Sequence, residues 1–235
     1  MKKTRICIVT ATRAEYGLLY WLLKDFQGAE DFEVDLVVTG MHLSAQYGYT
    51  YRDIEADGFN IHHKIEMLLS SDTPTGMSKS IGLGLIGFAD LLCASSYDFV
   101  LVLGDRYELL AIVQAALMAV IPVIHLSGGE LTEGVIDDCI RHAITKMSHL
   151  HFVTNERYRQ RVIQMGEHPE RVYTVGEPGL EHLRRSTLLS KSELEVVLDF
   201  PIRGSLFLVT YHPETLNGDS VEAACDALFQ ALSSF

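Results

Sequence analysis

The sequence predicts an α/β fold: a doubly wound parallel sheet with helices on both faces. Three observations carry this. Strand-length apolar blocks alternate with helix-period segments from one end of the chain to the other. Several blocks are continuous Val/Ile/Leu runs, the pattern of strands covered on both faces. Strict β–α alternation joins parallel strands through right-handed crossovers.

Taken in order, strands are expected at residues 5–10, 33–39, 60–65, 99–103, 122–126, 150–154, 171–175 and 205–210. Helices are expected at 17–27, 43–57, 77–95, 107–119, 137–148, 156–165 and 220–234. The opening MKKTRICIVTAT pairs two lysines with a short apolar run. That run has strand length and ends in a charged loop, so it reads as a first strand and not as a leader. The longest candidate membrane span, 109–126, is broken by Pro122, so no membrane association is expected. Near Gly176 the pattern changes. Residues 176–204 carry Pro178, Pro201, several charges and no strong strand. The expected organisation is a first domain at 1–176, a connection at 177–204, and the start of an incomplete second α/β domain at 205–235. One strand and one helix are too little for a sheet of their own.

Composition narrows the function. The 235 residues are 48% hydrophobic, enough for a sizeable core. The net charge of −12 argues against a broad nucleic-acid surface. An anionic small ligand then needs arginines gathered locally. Cys7, Cys93, Cys139 and Cys225 are scattered through apolar patterns. They are expected as reduced, buried thiols of a cytoplasmic protein. His62-His63 and His149-x-His151 lack metal-ligand spacing, so no metal site is expected. Gly82-Leu-Gly84-Leu-Ile-Gly87 matches a dinucleotide string but sits inside a helical pattern, not at a strand-to-helix turn. Small residues that let a helix pack closely explain it, and no redox cofactor is expected.

Ligands of such sheets bind at the carboxyl ends of strands, near the reversal of strand order. The chemistry-bearing residues fall there. Arg13 follows the first strand in TATRAEYG, where a helix N-terminus and a guanidinium suit phosphate oxygens. An ordinary loop arginine paired with Glu15 fits that string equally. His42 follows the second strand. Asp105 and Arg106 follow the fourth in LGDRYELL, where the aspartate could instead cap the next helix. Glu130 follows the fifth in IHLSGGE, and Asp137, Asp138 and Arg141 open the next helix in IDDCIRHAITK. These acidic groups could be caps or a surface ion pair. Converging on one crevice, they could hold a carboxyl with a raised pKa for acid–base work. His212 ends the strand expected at 205–210 and would face an interdomain cleft.

Together, TATRAEYG, GMHLSAQYGYTYRDIE, GLGLIGFADLL, LGDRYELL, IHLSGGE, IDDCIRHAITKMSHLHF and TYHPET resemble the hydrolysing UDP-N-acetylglucosamine 2-epimerases of sialic- and legionaminic-acid type sugar biosynthesis. The resemblance runs along essentially the whole chain and corresponds to the N-terminal portion of the family. It implies a Rossmann-like first half of a glycosyltransferase-B type fold, with the start of the second half. It also implies loss of UDP from a UDP-2-acetamido sugar, either UDP-N-acetylglucosamine or a UDP-diacetamido-trideoxy sugar, followed by hydration to the free 2-epimer. By that resemblance, Arg13 and Arg106 hold the diphosphate. Asp105 and Asp137 are acid–base groups supported by Asp138 and Arg141, and His212 acts on the leaving group. His42 is a weaker sugar-site residue. Many relatives carry a glutamate where this chain has Ser127; either Glu130 substitutes for it, or Glu130 is structural and the substrate preference differs. The family implies a homo-oligomer and needs no cofactor. A glycosyltransferase-B type transferase and an inactive UDP-sugar-binding fragment are the rival readings.

Overall fold

The computed structural model describes residues 2–71, 73–204, 206–213, 216 and 220–235. The first part alternates as expected: β1 (Thr4–Thr10), α1 (Arg13–Gln27), β2 (Phe32–Thr39), α2 (Tyr51–Ala56), β3 (Ile61–Ile65), α3 (Pro74–Ala94), β4 (Phe99–Leu103) and α4 (Tyr107–Met118). There follow β5 (Val123–Leu126), α5 (Ile136–Met147), β6 (Leu150–Val153), α6 (Glu156–Gln164), β7 (Val172–Thr174), α7 (Leu180–Arg185), α8 (Lys191–Leu198) and α9 (Val221–Leu232). The seven strands form one sheet in the order β3-β2-β1-β4-β5-β6-β7. Every pairing is parallel. The strand order therefore reverses between β1 and β4, where a ligand crevice is expected.

Alternation along the strands divides the core in two. Cys7 and Val9 of β1 and Val100 and Val102 of β4 pack with Phe88, Leu92, Ile112 and Ile144 from α3, α4 and α5. Ile6 and Ile8, with Leu101 and Leu103, face the other way onto Leu19, Leu23 and Ile54 from α1 and α2. Both strand faces are apolar because both are covered, so period-two contrast is lost and continuous runs appear.

The glycine string lies well inside α3. A Cβ on Gly84 would stand 2.7 Å from Met67 Cε and 3.1 Å from Ala111 Cβ, and one on Gly87 would stand 2.7 Å from Ile65 Cγ2. Those glycines bring α3 against β3 and α4, as the sequence implies. This helix of 21 residues, with an 18-residue stretch of mean hydropathy 1.4, meets the length and composition needed to cross a membrane. Here its Phe88 and Leu92 are buried in the core, while Leu83 and Ile86 are exposed.

Four expectations are corrected. The segment 43–57 is not one helix. Gly48 and Tyr49 take left-handed φ values of 78° and 51°, which end a pair of 3-10 turns before α2 begins. The connection at 177–204 carries two helices absent from the expected set, α7 and α8. Residues 206–210 form no strand and are exposed; none of the described strands lies beside them to supply hydrogen-bond partners. Only Cys7 is a fully buried thiol; Cys93 and Cys139 are exposed, because each faces outward from its helix.

Helix α7 docks on α1. His182 Nε2 donates to the Gly17 carbonyl at 2.7 Å, and Arg185 makes a two-pronged contact with Asp25 at 2.8 and 2.7 Å. The Arg185 guanidinium also lies 4.3 Å from the Trp21 ring centroid.

Candidate active site

A cleft of about 350 Å³ opens at the reversal point. Thr12, Glu15 and Leu18 form its α1 side. Asp105, Arg106 and Tyr107 follow β4, and Ser127 and Glu130 follow β5. Asp137 and Arg141 come from α5, and Glu177 reaches in from the segment held by α7. Of the residues singled out from the sequence, Asp105, Arg106, Glu130, Asp137 and Arg141 meet here.

Local geometry explains how they arrive. Gly104 takes φ 86°, turning the chain sharply out of β4. His125 Nε2 donates to the Gly104 carbonyl at 2.8 Å and braces that turn against β5. Burial drives the His125 pKa down to about 3, so the ring is neutral. Asp105 does not cap α4, whose N-cap is Arg106 without a side-chain bond. Asp105 is instead ion-paired with Arg141 Nη2. Arg141 is only 6% exposed, and its Nη1 donates to Thr132 Oγ1 at 3.0 Å. A surface ion pair is thereby ruled out. Thr154 Oγ1 donates to Glu130 Oε1 at 2.9 Å. Burial raises the Glu130 pKa. Burial and the neighbouring Asp105 carboxylate raise that of Asp137. Ser127 is buried at φ 60°, a left-handed residue at the turn out of β5.

Four sequence-based candidates lie elsewhere. Arg13, the first residue of α1, is exposed and lines a separate hollow beside Trp21 and Arg185. It does not pair with Glu15, which turns inward. His42 is fully buried between Thr10 Oγ1 at 3.1 Å and Thr50 Oγ1 at 2.8 Å, and does not line the cleft. Its pKa falls to about 4 through burial, marking a structural ring. Asp138 faces the 131–135 loop, accepting from Thr132 N at 2.8 Å. His212 is exposed and away from the cleft, because no strand forms at 206–210 to carry it there. The neighbouring Glu214 lies outside the described residues.

The helix N-terminus at TATRAEYG is also capped from within the chain. Glu15 Oε2 accepts from Ala11 N at 2.8 Å and Thr12 N at 3.0 Å, completing a capping box. The signal was Thr12-x-x-Glu15 before an apolar run. Sequence reasoning also passed over Glu108, which is fully buried and holds Arg106 through bonds of 3.1 and 2.8 Å, and over Glu177.

Five carboxylates and two guanidiniums thus face one space. That arrangement can bind a polar ligand and move protons, and the described residues include no cluster suited to a metal ion. The all-parallel order and the site at its reversal define a Rossmann-like domain. The chain belongs to the UDP-N-acetylglucosamine 2-epimerase family, whose profile matches residues 24–234. It is 42% identical over 234 residues to the GDP/UDP-N,N'-diacetylbacillosamine 2-epimerase (hydrolyzing) of Campylobacter jejuni, covering all of this chain and 61% of that protein. It is 42% identical over 235 residues to polysialic acid biosynthesis protein P7 of Escherichia coli, covering 59% of that one. It is 40% identical over 227 residues to the UDP-N,N'-diacetylbacillosamine 2-epimerase (hydrolyzing) of Legionella pneumophila, covering 97% of this chain and 60% of that protein. The chain therefore spans about 60% of these relatives' length. Among solved structures it resembles the UDP-GlcNAc 2-epimerase of Neisseria meningitidis bound to UDP-GlcNAc, with a TM-score of 0.69 at 18% identity, over 83% of this chain and 54% of that one.

Proposed function

We propose that this chain supplies the sugar-and-diphosphate side of a hydrolysing 2-epimerase acting on a UDP-2-acetamido sugar. The observation that carries the reading is the meeting of Asp105, Arg106, Glu130, Asp137 and Arg141 at the sheet's reversal point. The C2 proton of such a sugar is not beside a carbonyl, so simple deprotonation is very hard. Departure of UDP from C1 gives an oxocarbenium-like centre that makes the C2 proton labile. A base then removes it, forming a C1–C2 double bond. Water adds hydroxide at C1, and an acid returns a proton to C2 from the opposite face. Asp105, ion-paired with Arg141, is the proposed base, and Asp137, with its raised pKa, the proposed acid. Glu130 assists, and Arg106 and Arg141 stabilise the departing diphosphate.

A diacetamido-trideoxy UDP-sugar is the favoured substrate, supported by the names of the Campylobacter and Legionella relatives. The product would feed sialic-acid or legionaminic-acid type biosynthesis. Residues 205–235 are proposed to open a second Rossmann-like unit, with 177–204 as the connection and His212 acting from that unit. We further propose a homo-oligomer built on N-terminal helices, supported by exposed Leu83, Ile86, Leu117 and Met118. A cytoplasmic location is supported by four free cysteines. The test is incubation with the UDP-sugar, read by phosphorus and proton NMR. UDP plus free 2-epimer is expected. UDP-linked epimer would move the protein to non-hydrolysing chemistry, and binding without turnover would make this span a binding half only.

A further inference from the structure

The charged cleft continues into an apolar hollow. This second space, of about 580 Å³, shares Arg106, Tyr107 and Asp137 with the cleft as lining residues. The Arg106 guanidinium carbon lies 5.7 Å from the Tyr107 ring centroid, so these two side chains stand together at the boundary. Beyond them the chemistry changes. Leu68, Met77, Ile81, Leu110 and Ile140 supply apolar walls. Ile140 is buried and the other four are half-buried, which leaves apolar surface open to the hollow. Among the described residues, Arg106 and Asp137 at the boundary are the only charged groups lining it. Its serine hydroxyls are engaged within the chain. Ser71 Oγ pairs with Thr73 Oγ1 at 2.9 Å, and Ser78 Oγ donates to the Pro74 carbonyl at 2.8 Å.

Two parts of a UDP-sugar lead away from the reacting C1–C2 bond: the diphosphate with its uridine, and the opposite edge of the sugar ring. Uridine carries amide and hydroxyl groups that need hydrogen-bond partners once buried. Apolar walls with engaged serines suit it poorly. The far edge of a diacetamido-trideoxy sugar instead ends in methyl groups, one at C6 and one on the C4 acetamido. Apolar walls take these methyls, while the acetamido amide stays at the Arg106–Asp137 boundary. We propose that the hollow is the specificity subsite for the C4–C6 edge of the sugar. Leu68, Met77, Ile81 and Leu110 then select a diacetamido-trideoxy UDP-sugar over UDP-N-acetylglucosamine, whose C4 and C6 carry hydroxyls. The proposal rests on the reading that the sugar reacts in the adjoining cleft.

Two measurements on this chain test it. In the first, methyl-labelled methionine and isoleucine report on a bound UDP-diacetamido-trideoxy sugar by NMR. Nuclear Overhauser contacts are expected from the C6 and C4-acetamido methyls to Met77 and Ile81. Contacts from the uracil protons to those side chains would place the base in the hollow and overturn the proposal. A bound sugar with no contact to either residue would overturn it as well. In the second, calorimetry compares that sugar nucleotide with UDP-N-acetylglucosamine. Wild type should prefer the diacetamido-trideoxy sugar by on the order of tenfold or more, as one or two methyl groups do in an apolar pocket. Ile81→Asn should bring the two affinities to near parity, and an unchanged ratio in the folded variant overturns the subsite. If Ile81→Asn does not fold, the contacts in wild type decide alone. Equal affinities in wild type remove the subsite and leave the proposed function standing. No binding of either sugar nucleotide removes the cleft reading and the subsite with it.

Discussion

Val102 and Val197 sit in similar apolar runs, yet Val102 is fully buried in β4 and Val197 is 68% exposed on α8. The contrast extends to their regions. Up to β7 the chain builds two core layers on one sheet. Beyond Gly176 none of the helices α7, α8 and α9 buries a residue, and Leu206, Phe207, Leu208 and Phe229 lie exposed. Apolar pattern determines what could be buried, and a neighbouring element determines what is. The second region has helix caps and helix-forming residues but no sheet to close against. Ser190 and Glu193 form a capping box on α8, so local signals work there while tertiary burial does not.

That comparison yields graded tests. The largest effect is expected at Gly129, where φ is 77° and a Cβ would stand 2.7 Å from Val162 Cγ2 and 2.8 Å from the Tyr158 carbonyl oxygen. Gly129→Ala should cost about 3 kcal/mol or more in urea unfolding, because strain and a backbone clash add. Stability against pH comes next. Glu15 is raised in the fold from 4.5 to about 7, so between those values the unfolded chain releases a proton that the folded chain keeps. Stability therefore falls as pH rises through that window, by up to about 3 kcal/mol, and Glu15→Gln should lack this component. His42 and His125, held down to about 4 and about 3, act in the opposite sense. They favour the fold fully above pH 6.5 and lose that contribution as pH falls through those values. Urea titrations from pH 4 to 8 separate the two signs.

The paired valines sharpen the contrast itself. Val102→Ala should cost about 2 kcal/mol, and Val197→Ala within about 0.5 kcal/mol. Equal costs would break the comparison and mean that α8 is covered in solution. The smallest effect is expected from Arg185→Ala, which removes an exposed, solvent-screened ion pair and should leave the urea midpoint nearly unchanged. Hydrogen exchange should nonetheless show α7 opening more readily.

How far the molecule can be read from its residues follows the same division. The central strands β1 and β4 were legible because burial on both faces writes apolar runs, and 99–103 matches β4 at both ends, whereas the edge strands β3 and β7 are largely exposed. The start of α1 was not: Thr12-x-x-Glu15 begins it at Arg13, whereas apolar periodicity begins only near Gly17. The cleft residues Asp105, Arg106, Glu130, Asp137 and Arg141 were legible because they interrupt or follow buried strands. Glu15 lines the cleft and Arg13 does not, since spacing does not say which way a side chain at a helix start turns. Glu177 was hidden because its place depends on α7 docking to α1 across a long sequence separation. His42 follows a strand as the cleft residues do, but its ring is consumed by two threonines.

The central claim is that one cleft at the β1–β4 reversal receives the diphosphate of a UDP-sugar. An amide NMR titration of this chain with UDP addresses it most directly. Shifts concentrated at residues 104–107, 127–130 and 137–141, and at Glu15, are expected. Shifts confined to the Arg13–Trp21 hollow, or no shifts at saturating UDP, would contradict it.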